Sequence, residues 1–397
     1  MEEVVLINGK FFNISCDQVL TLEQTIYLID EIKNIFGTED IQMTSLSSKP
    51  RIELLAIPKE PPIAKNLSKY YHNSNYNTND SYDIQNLTNE NTKTTIVLAC
   101  RNEGKLILDT VNSILNNKTN TLYEIIVVDD GSTDMCCDII RQNLNDGKFD
   151  KNILKIVTNS TSIGACKARN LGTENSSSDT NYVCFLDAHT RVEPHWLDKL
   201  IEAELSSLGN NQSIVTCGIR VMDGTDEGGF GETLNLSELP KNNFVPLWLA
   251  KPKDITEVPF APGGVMLIPK FLFNDIGGFE KYFQTWGAED TEISLKAWLM
   301  GYKILATPHT KIEHFFRPKH PYMVTQHNVD FNNIMMAINH FNPERIEKML
   351  KFTKTRTDIE KIVSQLLTSN VFEQRKLYLS KRTHDDNWFF NKFGIAF

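Results

Sequence analysis

The chain has 397 residues, of which 41% are hydrophobic and 23% are charged, and this composition is typical of a globular protein with two or three domains. Its net charge is -9, from 41 Lys and Arg residues against 50 Asp and Glu residues, which argues against a protein that coats nucleic acid. The sequence has no run of about 20 apolar residues that would span a membrane, and its N-terminus lacks the basic and apolar regions of a signal peptide.

Residues 1–57 predict a small α/β unit at the N-terminus. Apolar runs at residues 4–7 and 11–12, on either side of a glycine, favour a β-hairpin. Residues 21–36 begin with a capping-box pattern and continue as an apolar helical stripe, and residues 52–57 are a further strand candidate. Because this region carries no chemical motif, we expect a module that packs against the rest of the chain or binds a partner.

Residues 58–92 predict a linker. They begin near Pro61 and Pro62 and continue as a stretch rich in Asn, Ser, Thr and Tyr. Such a stretch has too few apolar side chains to bury a core. We therefore place a domain boundary here, and expect the next domain to begin at residue 93.

From residue 94 onward, short apolar strands alternate with helices. The strands are predicted at residues 95–99, 124–128, 153–157 and 182–186, and helices at 106–115 and 163–171. This alternation predicts parallel strand pairing in a doubly wound α/β sheet. Ligands of such sheets bind at the carboxyl ends of the strands, and Asp130 and Asp187 both follow strand ends. We therefore expect these two carboxylates to face one cleft.

The fourth predicted strand ends in Asp187 and His189. Residues two apart at the end of an extended strand point the same way, and a carboxylate beside an imidazole can hold a divalent metal. A metal placed there could carry a nucleotide diphosphate. The alternative is a buried strand followed by an ordinary polar turn.

Motifs in both halves of this region resemble one family when they are taken in order. The first half contains Arg101-Asn-Glu103, Asp129-Asp-Gly-Ser132 and Asp187-Ala-His189. The second half contains Gly263-Gly264, Trp286-Gly-Ala-Glu289-Asp290 and His314-Phe-Phe-Arg317-Pro-Lys-His320-Pro-Tyr322. This order resembles the polypeptide N-acetylgalactosaminyltransferases, which use a nucleotide sugar and have the GT-A fold.

The resemblance covers about residues 94–325. It implies an α/β protein with a doubly wound GT-A sheet in residues 93–325, preceded by the small N-terminal α/β unit. Residues 326–397 are too short for the β-trefoil lectin domain usual in that family. They predict a helical C-terminal extension, because an apolar stripe recurs at helical spacing at Ile359, Ile362, Val363, Leu366 and Leu367.

The same resemblance assigns a metal site and a donor. Asp187, His189 and His314 match the family's metal ligands, and two imidazoles with one carboxylate suit Mn2+ or another transition ion better than Mg2+. The donor is expected to be a UDP-sugar. Three more residues match a mobile loop of that family that closes on the diphosphate: Arg317, His320 and Tyr322. An Arg side chain in this loop can bind phosphate through two hydrogen bonds.

Further residues are expected to contact the donor. Asp130 would accept a hydrogen bond from the uracil N–H or a ribose hydroxyl. Arg169 matches a family arginine near the nucleotide, with a surface salt bridge as the alternative. Gly264 would let the backbone approach the sugar, and Trp286 would line the sugar pocket unless it is a core residue.

Glu289 and Asp290 decide the predicted mechanism. The family pattern is Trp-Gly-Gly-Glu-Asn, and this chain has Asp290 where that family has Asn. In an inverting reaction Asp290 would take the acceptor's proton. In a retaining reaction the departing phosphate takes the proton, and Glu289 positions the acceptor. The alternative for both residues is an N-cap of a helix over residues 291–299.

The sequence therefore predicts a metal-dependent enzyme that transfers a GalNAc, GlcNAc or Glc type sugar from a UDP-sugar to a peptide or protein side chain, with retention. One alternative is an inverting GT-A enzyme that acts on a polysaccharide or glycolipid. Another is a catalytically dead sugar-binding scaffold, against which the intact ligand set argues. We expect no nucleic-acid partner and no stable membrane anchor. The seven cysteines form neither a disulfide pattern nor a zinc pattern, which favours a cytoplasmic location.

Overall fold

The computed structural model describes four backbone strands within residues 2–54, and residues 92–397 apart from 118, 207, 235, 237–245 and 356. The predicted helix over residues 21–36 lies outside the described residues, as does almost all of the predicted linker. The described residues form two compact units. One contains the N-terminal strands and the C-terminal helices, and the other contains residues 92–236 and 246–324. No helix among the described residues is both long and apolar enough to cross a membrane.

The N-terminal strands form a four-stranded sheet in the order β2-β1-β4-β3. Their bounds are β1 (Glu2–Ile7), β2 (Lys10–Ser15), β3 (Ile41–Leu46) and β4 (Lys49–Leu54). The first two pair antiparallel, so the hairpin predicted for the first residues is confirmed. The strand predicted at residues 52–57 lies earlier, as β4, which pairs parallel with β1.

The larger unit is built on one mixed sheet with helices between its strands. Its strands are β5 (Thr94–Cys100), β6 (Leu122–Asp130), β7 (Leu154–Asn159), β8 (Tyr182–Leu186), β9 (Thr190–Val192), β10 (Ser213–Val221), β11 (Gly229–Phe230), β12 (Glu232–Thr233), β13 (Leu247–Trp248), β14 (Thr256–Glu257), β15 (Val265–Pro269) and β16 (Lys303–His314). Its helices are α1 (Leu106–Asn116), α2 (Asp138–Asn145), α3 (Ala165–Glu174), α4 (Trp196–Leu205), α5 (Lys270–Asp275) and α6 (Glu289–Leu299).

Ten of these strands form the mixed sheet, in the order β14-β16-β10-β15-β8-β5-β6-β7 with β9 paired to β16 and β11 paired to β10. The other two, β12 and β13, form a separate two-stranded sheet. The four strands predicted from the apolar runs are β5 to β8, and they pair parallel as expected. The next strand in the order, β15, runs antiparallel to both β8 and β10, so the sheet is mixed. Since β10 and β16 are parallel, β16 ends at the same edge as β8.

Helices cover both faces of the sheet, which confirms the doubly wound architecture. On one face, Ile96 and Leu98 of β5 belong to a core with side chains of α1 and α4 such as Val111 and Leu200. On the other face α3 lies close to the strands at Gly172, where an added Cβ would be 2.3 Å from a methyl carbon of Val97. Glycine is required at this crossing because no side chain fits between the helix and the strand.

The described residues from 325 to the C-terminus form five helices, which confirms the predicted helical extension. Their bounds are α7 (Gln326–His340), α8 (Pro343–Thr353), α9 (Ile359–Leu367), α10 (Val371–Lys381) and α11 (Asp386–Lys392). Thr325 begins α7 with a capping box that it shares with Asn328. The predicted apolar stripe lies on α9, where Ile359, Ile362, Val363 and Leu366 are buried.

Candidate active site

The three predicted metal ligands meet at one edge of the sheet. Asp187 follows β8, His189 precedes β9, and His314 is the last residue of β16. Pairing of β9 with β16 brings the two imidazole rings to a centroid distance of 4.7 Å. Asp187 Oδ2 lies 3.1 Å from His314 Nε2, and the ligand atoms of all three residues lie within 4.8 Å of one another. One metal ion could therefore contact all three side chains.

The surroundings of these side chains fit a divalent cation. Burial by itself would raise the pKa of Asp187, but the hydrogen bond with His314 and the charge of Arg169 outweigh it and hold this pKa well below its ordinary value. His189 Nδ1 contacts Glu103, which leaves Nε2 of that ring for an ion. One ionised carboxylate and two imidazoles are donors that transition metals accept.

Glu103 is a site residue to which the sequence analysis gave no role. Its carboxylate is buried, and Oε2 lies 3.1 Å from His189 Nδ1 and also contacts Arg317 Nη2. A carboxylate that accepts the second N–H of a ligating histidine fixes the orientation of its ring. The signal in the sequence was the Arg-Asn-Glu segment at the carboxyl end of β5, but its contacts depend on residues far along the chain.

Arg169 bridges the metal ligands and the predicted catalytic pair. Its guanidinium donates to Asp187 Oδ1 at 3.1 Å through Nη2 and to Glu289 Oε1 at 3.2 Å through Nη1. The residue is only 7% exposed, so the alternative of a surface salt bridge is wrong. Because Arg169 lies on α3, its single positive charge can neutralise both Asp187, which follows β8, and Glu289, which begins α6.

Glu289 and Asp290 are the first two residues of α6, so both follow its N-cap position. The N-cap is Ala288, with φ +66, so the alternative that either acid is the N-cap of a helix beginning at residue 291 is wrong. Glu289 Oε2 accepts the Gly287 N–H at 2.7 Å. Burial raises the pKa of Glu289, the charge of Arg169 lowers it, Asp290 raises it, and the net direction is upward.

Both oxygens of Asp290 accept backbone hydrogen bonds. Oδ1 accepts from the Thr291 N–H at 2.8 Å, and Oδ2 accepts from the Gly263 N–H at 3.2 Å. The next residue, Gly264, lies close to a metal ligand, because an added Cβ would be 3.6 Å from His314 Cδ2. Its carbonyl oxygen also accepts the Asp187 N–H at 3.2 Å. The double-glycine segment therefore links Asp290 to the metal ligands.

Asp130 is buried at the end of β6 and anchors the loop that leads into α3. Its oxygens accept four hydrogen bonds, from Ser162 Oγ at 2.7 Å, Ile163 N at 2.7 Å, Gly164 N at 3.0 Å and Asn159 Nδ2 at 3.2 Å. This carboxylate thus has a structural role that the sequence analysis did not foresee. Its contact with a uridine stays a prediction.

The segment from Arg317 to Tyr322 lies beside the metal ligands. His320 packs on Trp286 with a ring distance of 4.4 Å, and Trp286 is 38% exposed, so the alternative of a core tryptophan is wrong. Burial and the charges of Arg317 and His189 lower the pKa of His320, which favours a neutral ring.

The same segment contacts the end of β5. The Arg101 guanidinium lies 4.6 Å from the ring centre of Tyr322. Asn102 Nδ2 donates to the Pro321 carbonyl oxygen at 3.3 Å, and the Asn102 N–H donates to Ser132 Oγ at 3.1 Å. Asn102 therefore joins the Asp-Asp-Gly-Ser turn to the predicted mobile loop.

Two family models and one solved structure match the larger unit. The family described as "Glycosyl transferase family 2" matches residues 95–277, and "N-terminal domain of galactosyltransferase" matches residues 255–321. A crystal structure of GalNAc-T7 with UDP, GalNAc and Mn2+ matches with a TM-score of 0.61 at 21% identity, over 76% of this chain and 57% of that chain. The larger unit therefore has the GT-A fold and is similar in sequence to glycosyltransferases.

Within that class, the domain resembles the catalytic domain of the polypeptide N-acetylgalactosaminyltransferases. Polypeptide N-acetylgalactosaminyltransferase 8 of Drosophila melanogaster is 31% identical over 239 residues, which are 56% of this chain and 38% of that protein. Polypeptide N-acetylgalactosaminyltransferase 11 of Xenopus tropicalis is 30% identical over 246 residues, which are 57% of this chain and 39% of that protein. The chain therefore spans about two fifths of the length of these curated relatives.

Proposed function

We propose that the protein is a metal-dependent glycosyltransferase that moves a sugar of the GalNAc, GlcNAc or Glc type from a UDP-sugar to a peptide or protein side chain, with retention. The observation that carries the proposal is the meeting of Asp187, His189 and His314 beside the Arg169–Glu289 ion pair. The names of the relatives support a peptide acceptor, and the GalNAc-T7 structure with UDP and Mn2+ supports the donor class and the metal.

Asp187, His189 and His314 would hold Mn2+ or a similar divalent ion. When bound, such an ion neutralises the diphosphate that leaves with the nucleotide. Other side chains of the protein orient these ligands. Arg169 keeps Asp187 ionised and oriented, and Glu103 orients the His189 ring. Arg317, now paired with Glu103, brings a positive charge to the loop that the family resemblance places over the phosphates.

The two hydrogen bonds to Asp290 favour retention. The Gly263 and Thr291 N–H groups face different oxygens of Asp290, and an Asn side chain in the same orientation would present an NH2 group to one of them. An Asp at this position therefore has a structural reason that does not require it to be a general base. In the retaining reaction the acceptor oxygen bonds to the anomeric carbon on the face from which the UDP oxygen departs. The acceptor's proton passes to that departing oxygen, and Glu289 positions the acceptor.

One observation favours the inverting alternative with a polysaccharide or glycolipid acceptor. Asp290 is partly exposed in the first turn of α6, so it could reach an acceptor hydroxyl. The test is the Asp290→Asn variant together with the anomeric configuration of the product. Under retention the product is α-linked and the variant keeps substantial activity. Under inversion the product is β-linked and the rate falls by about 10²–10⁴-fold, as expected for loss of a general base.

The direct assay incubates the protein with Mn2+, a panel of peptides that contain Ser and Thr, and UDP-GalNAc, UDP-GlcNAc or UDP-Glc in turn. Mass spectrometry should find one sugar added per modified side chain, and none with a chelator or with His314→Ala. A protein that binds UDP and Mn2+ but neither transfers nor hydrolyses any sugar would be a scaffold, and the proposal would be wrong.

We also propose that the protein is located in the cytoplasm. The six cysteines that the structure describes are free and buried, and free thiols are usual in a reducing compartment. Fractionation of cells that produce the protein, with fluorescence microscopy of a tagged chain, would test it. Recovery of the protein inside vesicles would contradict the location without affecting the proposed reaction.

A further inference from the structure

Three cysteines meet at the edge of the sheet that carries the candidate active site. Cys100 ends β5, and Cys136 and Cys137 directly precede α2. Cys100 Sγ lies 3.5 Å from Cys136 Sγ and 3.6 Å from Cys137 Sγ, and the sulfurs of Cys136 and Cys137 are 4.0 Å apart. All three residues are buried, and none belongs to the Asp187, His189 and His314 cluster.

The distances between the three sulfur atoms are closer to those between the sulfur ligands of one metal ion than to the length of a disulfide bond. A tetrahedral ion with metal–sulfur distances of about 2.3 Å holds its sulfurs about 3.8 Å apart. The three observed distances lie on either side of that value. A disulfide would need its two sulfurs at about 2.05 Å, so the chain would have to move to form one.

Cys136 lies just before the first turn of α2, where the positive end of the helix dipole stabilises a negative charge on a thiolate. An arriving cation would therefore meet one sulfur that is already disposed to be charged.

We propose that Cys100, Cys136 and Cys137 form a second metal site, which takes a thiophilic divalent cation of the Zn2+ and Cd2+ class. Three thiolates select such a cation, whereas the carboxylate and two imidazoles of the first cluster suit Mn2+. Binding releases the thiol protons, because only the thiolate is a ligand. Ser132 Oγ lies 3.4 Å from Cys136 Sγ, and this hydroxyl or a water is the candidate for the fourth ligand.

The consequence of this site is structural. It would join the end of β5 to the turn that follows β6 through three metal–sulfur bonds. These two segments already contact each other, because the Gly104 N–H donates to Asp134 Oδ2 at 2.8 Å and the Thr133 N–H donates to Asn102 Oδ1 at 2.8 Å. The first segment also carries Glu103, the partner of His189. A bound ion would thus stiffen the support of the active site, and the inference does not depend on which sugar is transferred.

The test is titration of the reduced, metal-free full chain with Cd2+ in the presence of excess Mn2+. Thiolate-to-cadmium charge transfer gives an ultraviolet absorption that imidazole and carboxylate ligands do not give. We expect this absorption to saturate at one Cd2+ per chain, with proton release seen as a buffer-dependent heat in calorimetry. Cys136→Ser should weaken Cd2+ binding by more than about tenfold. Losing a hydrogen-bond partner of a ligand already weakens metal binding by about tenfold or more, and losing the ligand itself should weaken it further.

Two controls isolate the cysteine cluster. Cys184→Ser alters a buried thiol on β8 outside the cluster and should keep the full absorption. His314→Ala removes a ligand of the other site and should also keep it. Thiol labelling of the wild-type chain should slow at three cysteines when Zn2+ is added, a readout that needs no variant to fold. No charge-transfer absorption in the wild type, an equal absorption in Cys136→Ser, or a Cys100–Cys136 disulfide in protein from a reducing cytosol would each overturn the proposal.

Discussion

Replacing Arg169 by Met tests whether one buried cation holds the site together. The guanidinium is paired with Asp187 and Glu289, and Arg169 and Glu289 are 7% and 5% exposed. Met keeps much of the volume of the side chain and removes its charge, which leaves two carboxylates without their shared partner. Removing one member of a buried ion pair costs about 3–5 kcal/mol. We therefore expect the free energy of unfolding of the larger unit to fall by about that amount at neutral pH.

The assay is chemical denaturation of the full chain in a chelator, and it has a matched control. Arg191 also pairs with two carboxylates, Asp223 at 2.8 Å and Glu313 at 4.0 Å, but its side chain is 40% exposed and that of Asp223 is 78% exposed. Because exposed pairs contribute about 0–1 kcal/mol, Arg191→Met should change stability little. Adding Glu289→Gln to Arg169→Met should recover part of the loss, since it removes one of the two stranded charges.

The pH dependence provides the sharper check. The pKa of Asp187 is lowered in the folded protein, so its contribution to stability is present above the unfolded pKa and is lost as the pH falls through the folded one. The loss caused by Arg169→Met should therefore shrink in acid. If Arg169→Met lowers the free energy of unfolding no more than Arg191→Met does, or if its effect is independent of pH, the guanidinium does not stabilise these charges.

Three further predictions concern the metal, the loop and a buried acid. Asp187→Ala, His189→Ala and His314→Ala should each weaken UDP binding in the presence of Mn2+ by at least about tenfold, as measured by calorimetry, and should change UDP binding little without metal. If His314→Ala bound UDP and Mn2+ as the wild type does, His314 would not be a metal ligand. Hydrogen exchange at residues 317–322 should slow when UDP and Mn2+ are added, and unchanged exchange would contradict a closing loop. Burial, and then the charge of Asp290, raises the pKa of Glu232 from 4.5 to about 9, so the contribution of Glu232 to stability is fully present below pH 4.5 and should be lost as the pH rises toward 9, by up to about 1.4 kcal/mol per pH unit. Glu232→Gln should abolish this slope in denaturation measured at several pH values, and a slope that survives would show that another group titrates.

Some of the site could be predicted from local sequence. Continuous apolar runs made β5, β6 and β8 recognisable, because strands buried on both faces have little alternation. The polar residues that follow such a run must lie at the sheet edge, so Asp187 and His189 stood out. His314 ends a longer strand whose pattern is less regular, and only the family resemblance distinguished it from a structural histidine.

Other features were hidden because they depend on the order of strands in the sheet. Glu103 and His189 are 86 positions apart, and their contact exists because β5 and β8 are neighbours. Cys100 and Cys136 are 36 positions apart, so no cysteine spacing could indicate their meeting. The antiparallel β15 was also unforeseen, because the alternation of strands and helices that predicts parallel pairing stops before it.

The contacts along the sheet edge connect the nucleotide side of the site to its catalytic side. Asp130, the residue expected to contact uridine, holds the backbone at Gly164 where α3 begins. One helical turn later Arg169 points from α3 to both Asp187 and Glu289. A shift of the loop held by Asp130 would therefore move the guanidinium on which both carboxylates depend. Loss of activity on mutation of Asp130 would consequently not by itself establish a contact with the nucleotide, whereas a loss of UDP affinity with unchanged stability and unchanged Mn2+ affinity would do so.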